Sequence, residues 1–421
     1  MHDFQFIGNE LHAEKVPVRR IMEEIGTPFY LYSYQTICNH FNVFNAAFEK
    51  VPHIVCFAAK ACSNIAILKL LAKQGAGIDI VSGGELYRAL KAGADSQKIV
   101  YAGVGKTREE IKYALESNIL MFNVESTQEL FLIDEVAEDM GLRARVSLRV
   151  NPNVDPQTHP YISTGLKQNK FGISIEDAFQ EYKLAQSLEN IEVVGIHKHI
   201  GSQITQVSPF VDALEKVILL ADRLKNEAGI NIQYLDIGGG LGITYKDESP
   251  PHPRELAAAI LPLLEKTNFT IIFEPGRLII GNAGILVTKV LYTKANEGKR
   301  FVIVDAGMND LARPSLYGSY QGILPINKEN SRPKIVADIV GPICESGDFL
   351  AKDRTVPEFA QGEGLAVMSA GAYGFSMSSN YNSRPRVPEI LVKGEEYFVI
   401  RRRESREDLV RGEEIPGFLK E

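Results

Sequence analysis

The sequence predicts an α/β chain: an eight-stranded (β/α)8 TIM barrel over residues 36–282, then a mostly antiparallel β-barrel or sandwich domain over 283–421. Three observations carry this. Eight short apolar runs alternate with helical patterns between about residues 53 and 275. Strands apolar on both faces, each followed by a helix, make a parallel sheet, and eight such units in about 230 residues match the size of a closed barrel. Beyond about residue 285 the alternation stops, and strand-like runs separated by turn residues take over, as in an all-β domain.

The eight runs cover 54–59, 77–81, 99–102, 120–124, 144–150, 193–199, 232–237 and 270–273, with amphipathic stretches such as 84–91 and 210–228 between them. A doubly wound open sheet is the alternative arrangement of the same pattern. After the fifth run comes a Pro/Asn-rich stretch, 151–160, that leads to Lys170-Phe171-Gly172-Ile173. A long loop there occupies an active-site position of a barrel. In the second domain, strands are expected at 285–292, 300–305, 334–340, 365–370 and 397–401. The N-terminal segment 1–35 also reads as extended, with Phe29-Tyr30-Leu31-Tyr32 its clearest run, and is expected to join the β domain.

The 421 residues are 45% hydrophobic and 24% charged, ordinary for a globular protein with a large core. With 53 acidic and 46 basic side chains the net charge is -7, so no basic excess points to nucleic acid or to an anionic membrane surface. No run is long and apolar enough to span a bilayer, and the N-terminus lacks the basic and apolar regions of a secretory signal. Four cysteines, at 38, 56, 62 and 344, make neither a disulfide framework nor a zinc pattern. A reducing, cytoplasmic setting is expected.

In a barrel the strand ends collect the chemistry. The first run delivers Lys60, which is costly as a buried structural residue and valuable as an amine that forms a Schiff base. The bland alternative is a lysine that snorkels out of the strand end. The second run carries Asp79. The seventh ends in Asp236-Ile237-Gly238-Gly239-Gly240-Leu241-Gly242, whose glycines admit a phosphate to the backbone N–H groups. A glycine turn alone is weak evidence, but the eighth run adds a second, Glu274-Pro275-Gly276-Arg277, with a fixed positive charge. Glu274 can form an ordinary ion pair, or face a heterocyclic nitrogen and hold it protonated. His199 can be a core histidine, or stack on a flat ring with Ser202 at a phosphate oxygen. His197 is placed on the same strand face two residues earlier. The pair lacks the third ligand of a metal site, so no metal is expected. A lysine, a phosphate cradle, a stacking ring and a carboxylate for a ring nitrogen are together the requirements of pyridoxal phosphate.

In this light the chain resembles the fold-type III pyridoxal-phosphate decarboxylases. The resemblance rests on Ala58-Ala59-Lys60-Ala61, Ser82-Gly83-Gly84-Glu85-Leu86, Asn123-Val124-Glu125-Ser126, His199-Ile200-Gly201-Ser202 and the two turns above. It continues through 305–314 (Asp305-Ala306-Gly307-Met308-Asn309-Asp310-Leu311-Ala312-Arg313-Pro314) and Tyr317. It ends with Gly341-Pro342-Ile343-Cys344-Glu345-Ser346-Gly347-Asp348 and Ala372-Tyr373-Gly374. It implies an alanine-racemase-like barrel with Lys60 bonded to the cofactor aldehyde. His199 would lie against the ring and Glu274 at its nitrogen. Asp79, Ser202, Gly238, Gly239, Gly240, Pro275, Gly276, Arg277 and Tyr373 would complete the cofactor site. Arg277, Arg313 and Tyr317 would bind a distal substrate carboxylate, with Tyr373 beside them and Glu345 at the distal ammonium. Cys344 would return the proton after CO₂ leaves, a task a thiol suits near neutral pH. Cys62 stands where relatives often have asparagine, a departure that leaves Lys60 intact. The resemblance also implies a two-fold homodimer with shared active sites.

The implied reaction converts meso-2,6-diaminopimelate to L-lysine and CO₂, the last step of lysine biosynthesis. Decarboxylation of ornithine, arginine or carboxynorspermidine is the alternative inside the family. The distal pocket discriminates, because only a substrate with a second carboxylate calls for Arg277, Arg313 and Tyr317. Alanine racemase would need a tyrosine base opposite the lysine. A non-catalytic pyridoxal-phosphate barrel would have no use for a second domain of about 135 residues. A dinucleotide oxidoreductase would need a βαβ unit around its glycines.

Overall fold

The structure is a computed structural model that describes residues 2–155, 170–329 and 331–420. It divides into two compact units, Ile37–Ile280 and a second made of Met1–Thr36 with Gly281–Glu421.

The first unit is a closed barrel. Its strands are β1 (His53–Ala58), β2 (Gly77–Ile80), β3 (Ile99–Tyr101), β4 (Met121–Val124), β5 (Ala144–Asn151), β6 (Ile191–His197), β7 (Tyr234–Asp236) and β8 (Thr270–Phe273). All neighbours are parallel, β8 pairs with β1, and β4 pairs with β5 to close the ring. Closure removes the open-sheet alternative and leaves no free edge. The helices that follow in turn are α1 (Ile65–Lys73), α2 (Gly83–Ala92), α3 (Arg108–Glu116), α4 (Thr127–Met140), α5 (Ile175–Ser187), α6 (Ser208–Ala228), α7 (Pro253–Leu264) and α8 (Arg277–Ile280).

Local sequence explains these boundaries. Asn64, Ser82, Thr107, Ser126 and Ser174 cap α1 to α5 with their side-chain oxygens. Each satisfies a backbone N–H that the first turn leaves without a partner. Gly93, Gly141 and Gly229 end α2, α4 and α6 in the left-handed conformation. The sixth strand stops at His197, so His199 lies in the loop beyond it and not on the strand face expected from the sequence. Lys60 likewise sits in a single turn, Ala59–Ala61, just past β1. Of the Pro/Asn-rich loop, the part from 156 to 169 lies outside the described residues.

Strand alternation sorts the barrel into layers. Cys56, Met121 and Ile272 belong to one apolar cluster, packed with Val100, Leu120 and Val194 and flanked by Tyr234. Two positions further along their strands, on the same faces, stand Ala58, Asn123, Glu274 and Asp236. The apolar layer seals the barrel, and polar groups begin one layer above it at the C-terminal rim.

The second unit has a sheet in the order 349–357, 334–340, 299–304, 284–296, 29–33, 389–393, 396–401, and a small antiparallel sheet at 4–17. Most pairings are antiparallel; 299–304 with 334–340 and 389–393 with 29–33 are parallel. Its core gathers Phe4, Leu11, Phe29, Leu31, Ile285, Val287, Ala366, Ile390 and Val392. The segment 29–33 is buried at every position because it is a central strand between 284–296 and 389–393.

Tyr182 of α5 is wholly buried, and its hydroxyl donates to the Gly195 carbonyl of β6 at 2.8 Å while accepting from the Leu148 N–H of β5 at 3.2 Å. Tyr182→Phe is expected to lower stability by about 1–2 kcal/mol, because it leaves buried backbone groups without that partner. Urea unfolding of the two proteins checks this, and an unchanged midpoint would exclude a structural role for the hydroxyl.

Candidate active site

The sequence-selected residues of the barrel converge at one rim. Lys60 Nζ lies 2.6 Å from Asp79 Oδ2, the lysine side chain about one-third exposed and the aspartate wholly buried. Register explains the meeting: Ala58 of β1 pairs with Asp79 of β2, and Lys60 follows two residues later. Glu274 directly follows the neighbouring strand β8. Pro275 accepts a backbone bond from Ala58 at 3.3 Å, which ties the eighth strand end to the first.

The glycine turn after β7 is shaped by close packing. A Cβ on Gly239 would collide with the Glu274 carbonyl, and Gly240 adopts φ +115° with the Gly201 carbonyl 2.6 Å from where a Cβ would stand. Only glycine fits both places. Gly239 N–H donates to His199 Nδ1 at 3.2 Å, and Glu274 N–H donates to the Gly238 carbonyl at 2.9 Å. The turns after β6, β7 and β8 are thus laced together. Arg277, at the Gly276 turn, is buried; its guanidinium donates to Ser202 Oγ at 3.0 Å and to Tyr245 Oη at 2.6 Å. Tyr245 was not foreseen, since it lies in irregular chain after the glycines.

Electrostatics sets the character of this mouth. Three carboxylates, Asp79, Asp236 and Glu274, are buried within it. Burial pushes Asp79 up to about 7, helped by the Glu274 charge and opposed by Lys60. Burial and then Glu274 hold Asp236 well above the usual carboxylate range. Glu274 goes the other way. Burial alone would raise it; the charge of His197, its hydrogen bond, and the charges of Lys60 and His199 pull it below its ordinary value, and of these Lys60 and the His197 N–H still act once the imidazoles are neutral. Burial drives the imidazoles of His197 and His199 down, so both are neutral at pH 7. The outcome is Glu274 held below the usual carboxylate range beside Asp236 held above it, with Asp79 at about 7 paired to Lys60.

The sequence marked Asn123 and Glu125 only as part of a strand-end motif, without a role, and did not mark Ser147 or Arg149. Asn123 Nδ2 donates to Asp236 Oδ2 at 3.0 Å and to Glu274 Oε1 at 3.3 Å, while its Oδ1 accepts from Ser147 Oγ at 2.5 Å. Arg149 pairs with Glu125 at 2.7 Å, both buried, and Glu125 also receives Gly172 N–H at 2.8 Å. Asn123 and Glu125 stand at a strand end, which is what marked their motif; Ser147 and Arg149 lie mid-strand and carried no signal.

Pyridoxal phosphate needs an amine, a charged carboxylate and backbone room for a phosphate. These residues fit it. Lys60 supplies the amine, Glu274 the persistent charge, and the glycine turns a backbone that admits no side chain. Among the described residues Asp79 Oδ1 is buried without a hydrogen-bond partner, an acceptor left for a further group.

The remaining candidates lie in the second unit. Arg313 and Tyr317 begin and end the helix Arg313–Tyr317, the guanidinium 5.6 Å over the tyrosine ring. Cys344 is exposed, and its N–H donates to Asn382 Oδ1 at 2.7 Å. Buried Asp348 shapes that turn by accepting from Ile343 N–H and Met308 N–H, both at 2.7 Å. Ser315 Oγ donates to the Gly347 carbonyl at 2.6 Å, which joins the helix to the turn. Glu345 Oε2 accepts from Tyr381 Oη at 3.5 Å. Tyr373 holds φ +55°, an uncommon value for a tyrosine.

Residues 34–281 match the family model described as pyridoxal-dependent decarboxylase, pyridoxal binding domain. The chain is 53% identical to a diaminopimelate decarboxylase of Haemophilus influenzae over 97% of its length and 98% of the relative's. It is similar to a crystal structure of diaminopimelate decarboxylase from M. jannaschii in complex with L-lysine, with TM-score 0.94, 41% identity and all of both chains covered. The Helicobacter pylori diaminopimelate decarboxylase with L-lysine aligns with TM-score 0.90 and 45% identity, covering 94% and 98% of the two chains.

Asp236 keeps in the folded chain a proton that the unfolded chain gives up above about pH 4. Folding therefore binds a proton in that range, and this group's contribution to stability falls as pH rises. Asp236→Asn, which mimics the protonated acid, is expected to gain stability relative to the parent as pH rises from 5 to 8. Urea unfolding of cofactor-free protein at both pH values measures it; a constant difference would mean that Asp236 ionises normally.

Proposed function

The chain belongs to the pyridoxal-dependent decarboxylases, and on that premise we propose that it is a cytoplasmic carboxy-lyase removing CO₂ from meso-2,6-diaminopimelate to leave L-lysine, with a site shared between two subunits. One observation carries the substrate. Identity to a diaminopimelate decarboxylase runs over 97% of the chain. It therefore extends well beyond residue 281 into the unit that bears Arg313, Tyr317, Cys344 and Glu345.

The roles follow from residue chemistry. Bound pyridoxal phosphate supplies the electron sink that accepts the bonding pair when CO₂ departs. Lys60 would hold it through its aldehyde, with its amine at the place the substrate amine would take. Asp79, 2.6 Å from Lys60 Nζ, orients the amine and takes up its charge. Glu274, ionised in a buried site, keeps the ring nitrogen protonated. His199 would lie against the ring, and the Gly238–Gly240 turn, Ser202, Gly276, Arg277 and Tyr373 would hold the phosphate through N–H, hydroxyl and guanidinium donors. Arg277, Arg313 and Tyr317 take the distal carboxylate and Glu345 the distal ammonium. Cys344 delivers the proton that replaces the lost carboxylate, so the product keeps its distal amino-acid head intact.

Supporting the two-fold assembly is the setting of Cys344. The thiol is exposed, and Tyr381 and Leu316 nearby in the same unit expose apolar surface that a second copy would cover. No helix among the described residues is long and apolar enough to cross a membrane, which accords with a cytoplasmic enzyme.

Carbon dioxide release with meso-diaminopimelate, ornithine and arginine side by side tests the assignment. Turnover confined to diaminopimelate is expected, and equal turnover of ornithine would overturn the substrate. Cys344→Ala should bind cofactor with the parent's absorbance while kcat falls by about 10²–10⁴-fold, the range for a lost general acid. Full activity would remove the thiol from the proton transfer.

A further inference from the structure

His197 is the buried group that the roles above leave unused. It ends β6, 1% exposed, and its register neighbours are Arg149 on β5 and Asp236 on β7. One ligand atom each of His197, Asp236 and Glu274 lies within 4.8 Å of the others. His197 Nε2 stands 3.5 Å from Glu274 Oε2, and among the described residues neither ring nitrogen has a hydrogen-bond partner. An imidazole sealed in a barrel with both nitrogens unsatisfied is costly, and the carboxylate that faces its Nε2, at 3.5 Å, is Glu274.

We propose that His197 is the positioning residue for the ring-nitrogen carboxylate: its Nε2–H is aimed at Glu274 Oε2 and fixes the face that the carboxylate turns to the bound heterocycle.

Three observations converge. The two oxygens of Glu274 are faced by different groups, Oε1 by Asn123 Nδ2 at 3.3 Å and Oε2 by His197. Asn123 is itself held by Ser147 and Asp236, so His197 is the second of two supports that together remove the freedom of the carboxylate to rotate. The 3.5 Å gap is about half an ångström longer than a good N–H···O bond, within the reach of a small side-chain rotation. The charged groups facing the imidazole are Glu274, Arg149 and Glu125, and burial together with Arg149 outweighs the acids and keeps it neutral. Neutrality serves the role. An imidazolium would neutralise Glu274 and compete with a protonated ring nitrogen, whereas a neutral donor orients the carboxylate and leaves its charge available.

The inference rests on Glu274 facing the cofactor's ring nitrogen. Its test therefore reads cofactor uptake, followed by absorbance as pyridoxal phosphate is added to cofactor-free protein, rather than turnover. His197→Gln carries an amide that reaches the Nε2 position; in His197→Asn the amide stops near Nδ1, short of Glu274. The Asn variant is expected to bind cofactor about tenfold more weakly than the parent, the scale of one lost hydrogen bond to a charged group. The Gln variant should remain within about threefold. In a Glu274→Gln background the difference between Asn and Gln should vanish, because the group they act through has lost its charge. Parent-like binding by the Asn variant would overturn the proposal. So would equal losses in Asn and Gln, including equal loss of folded protein by circular dichroism, or a difference that survives in the Glu274→Gln background. A parent protein that takes up no cofactor would instead fell the reading of Glu274 itself.

Discussion

Everything at the barrel rim depends on keeping one carboxylate ionised where water is scarce. A lone buried charge costs several kcal/mol after relaxation, so Glu274 persists only because its surroundings are arranged around it. Lys60 favours its charge, the neutral His197 faces it at 3.5 Å, Asn123 donates to it, and Asp236 next to it keeps its own proton. Two ionised acids this close would repel; holding one neutral is how a crowded acidic mouth presents a single fixed charge. The same arrangement leaves Asp79 near 7, poised to exchange charge with the lysine beside it.

The barrel makes this affordable in structural terms. Hydrophobic residues one layer below seal the mouth from beneath, and the closed parallel ladder satisfies the backbone all round. The polar layer therefore consists of side chains alone, each set by register: Ala58 beside Asp79, Asn123 beside Ser147, Arg149 beside His197 beside Asp236. The glycines after β7 then let two loop backbones approach so closely that no side chain intervenes. Rigid strands place the charges, and bare backbone lets the loops after β6, β7 and β8 pack directly on one another.

The second unit applies a related economy. A single buried carboxylate, Asp348, gathers two backbone N–H groups and so shapes the turn that exposes Cys344. Ser315 joins that turn to the helix carrying Arg313 and Tyr317. Residues assigned to substrate binding and proton return thus share one locally braced segment, although about thirty residues of chain separate them.

Much of this was legible in the sequence. The order of apolar runs pointed to a barrel because each run is short and followed by a helical pattern, and closure then removed the open-sheet alternative. Lys60, Asp79, Glu274 and the glycine turns could be named because strand ends of a barrel meet at one rim whatever the details. Strand limits were less legible: His199 lies past the end of β6, since the ladder stops where β7 stops, a partner-dependent fact. The sequence could not single out Ser147 or Arg149, and it gave His197 and Asn123 a place at a strand end but no role. Mid-strand polar residues look alike until register brings them together, and register is a relation between segments a hundred or more residues apart. Composition and pattern alone determined which residues could do chemistry. Tertiary structure decided which carboxylate holds the charge, because that depends on burial and on distances of a few ångströms between side chains that no local pattern connects.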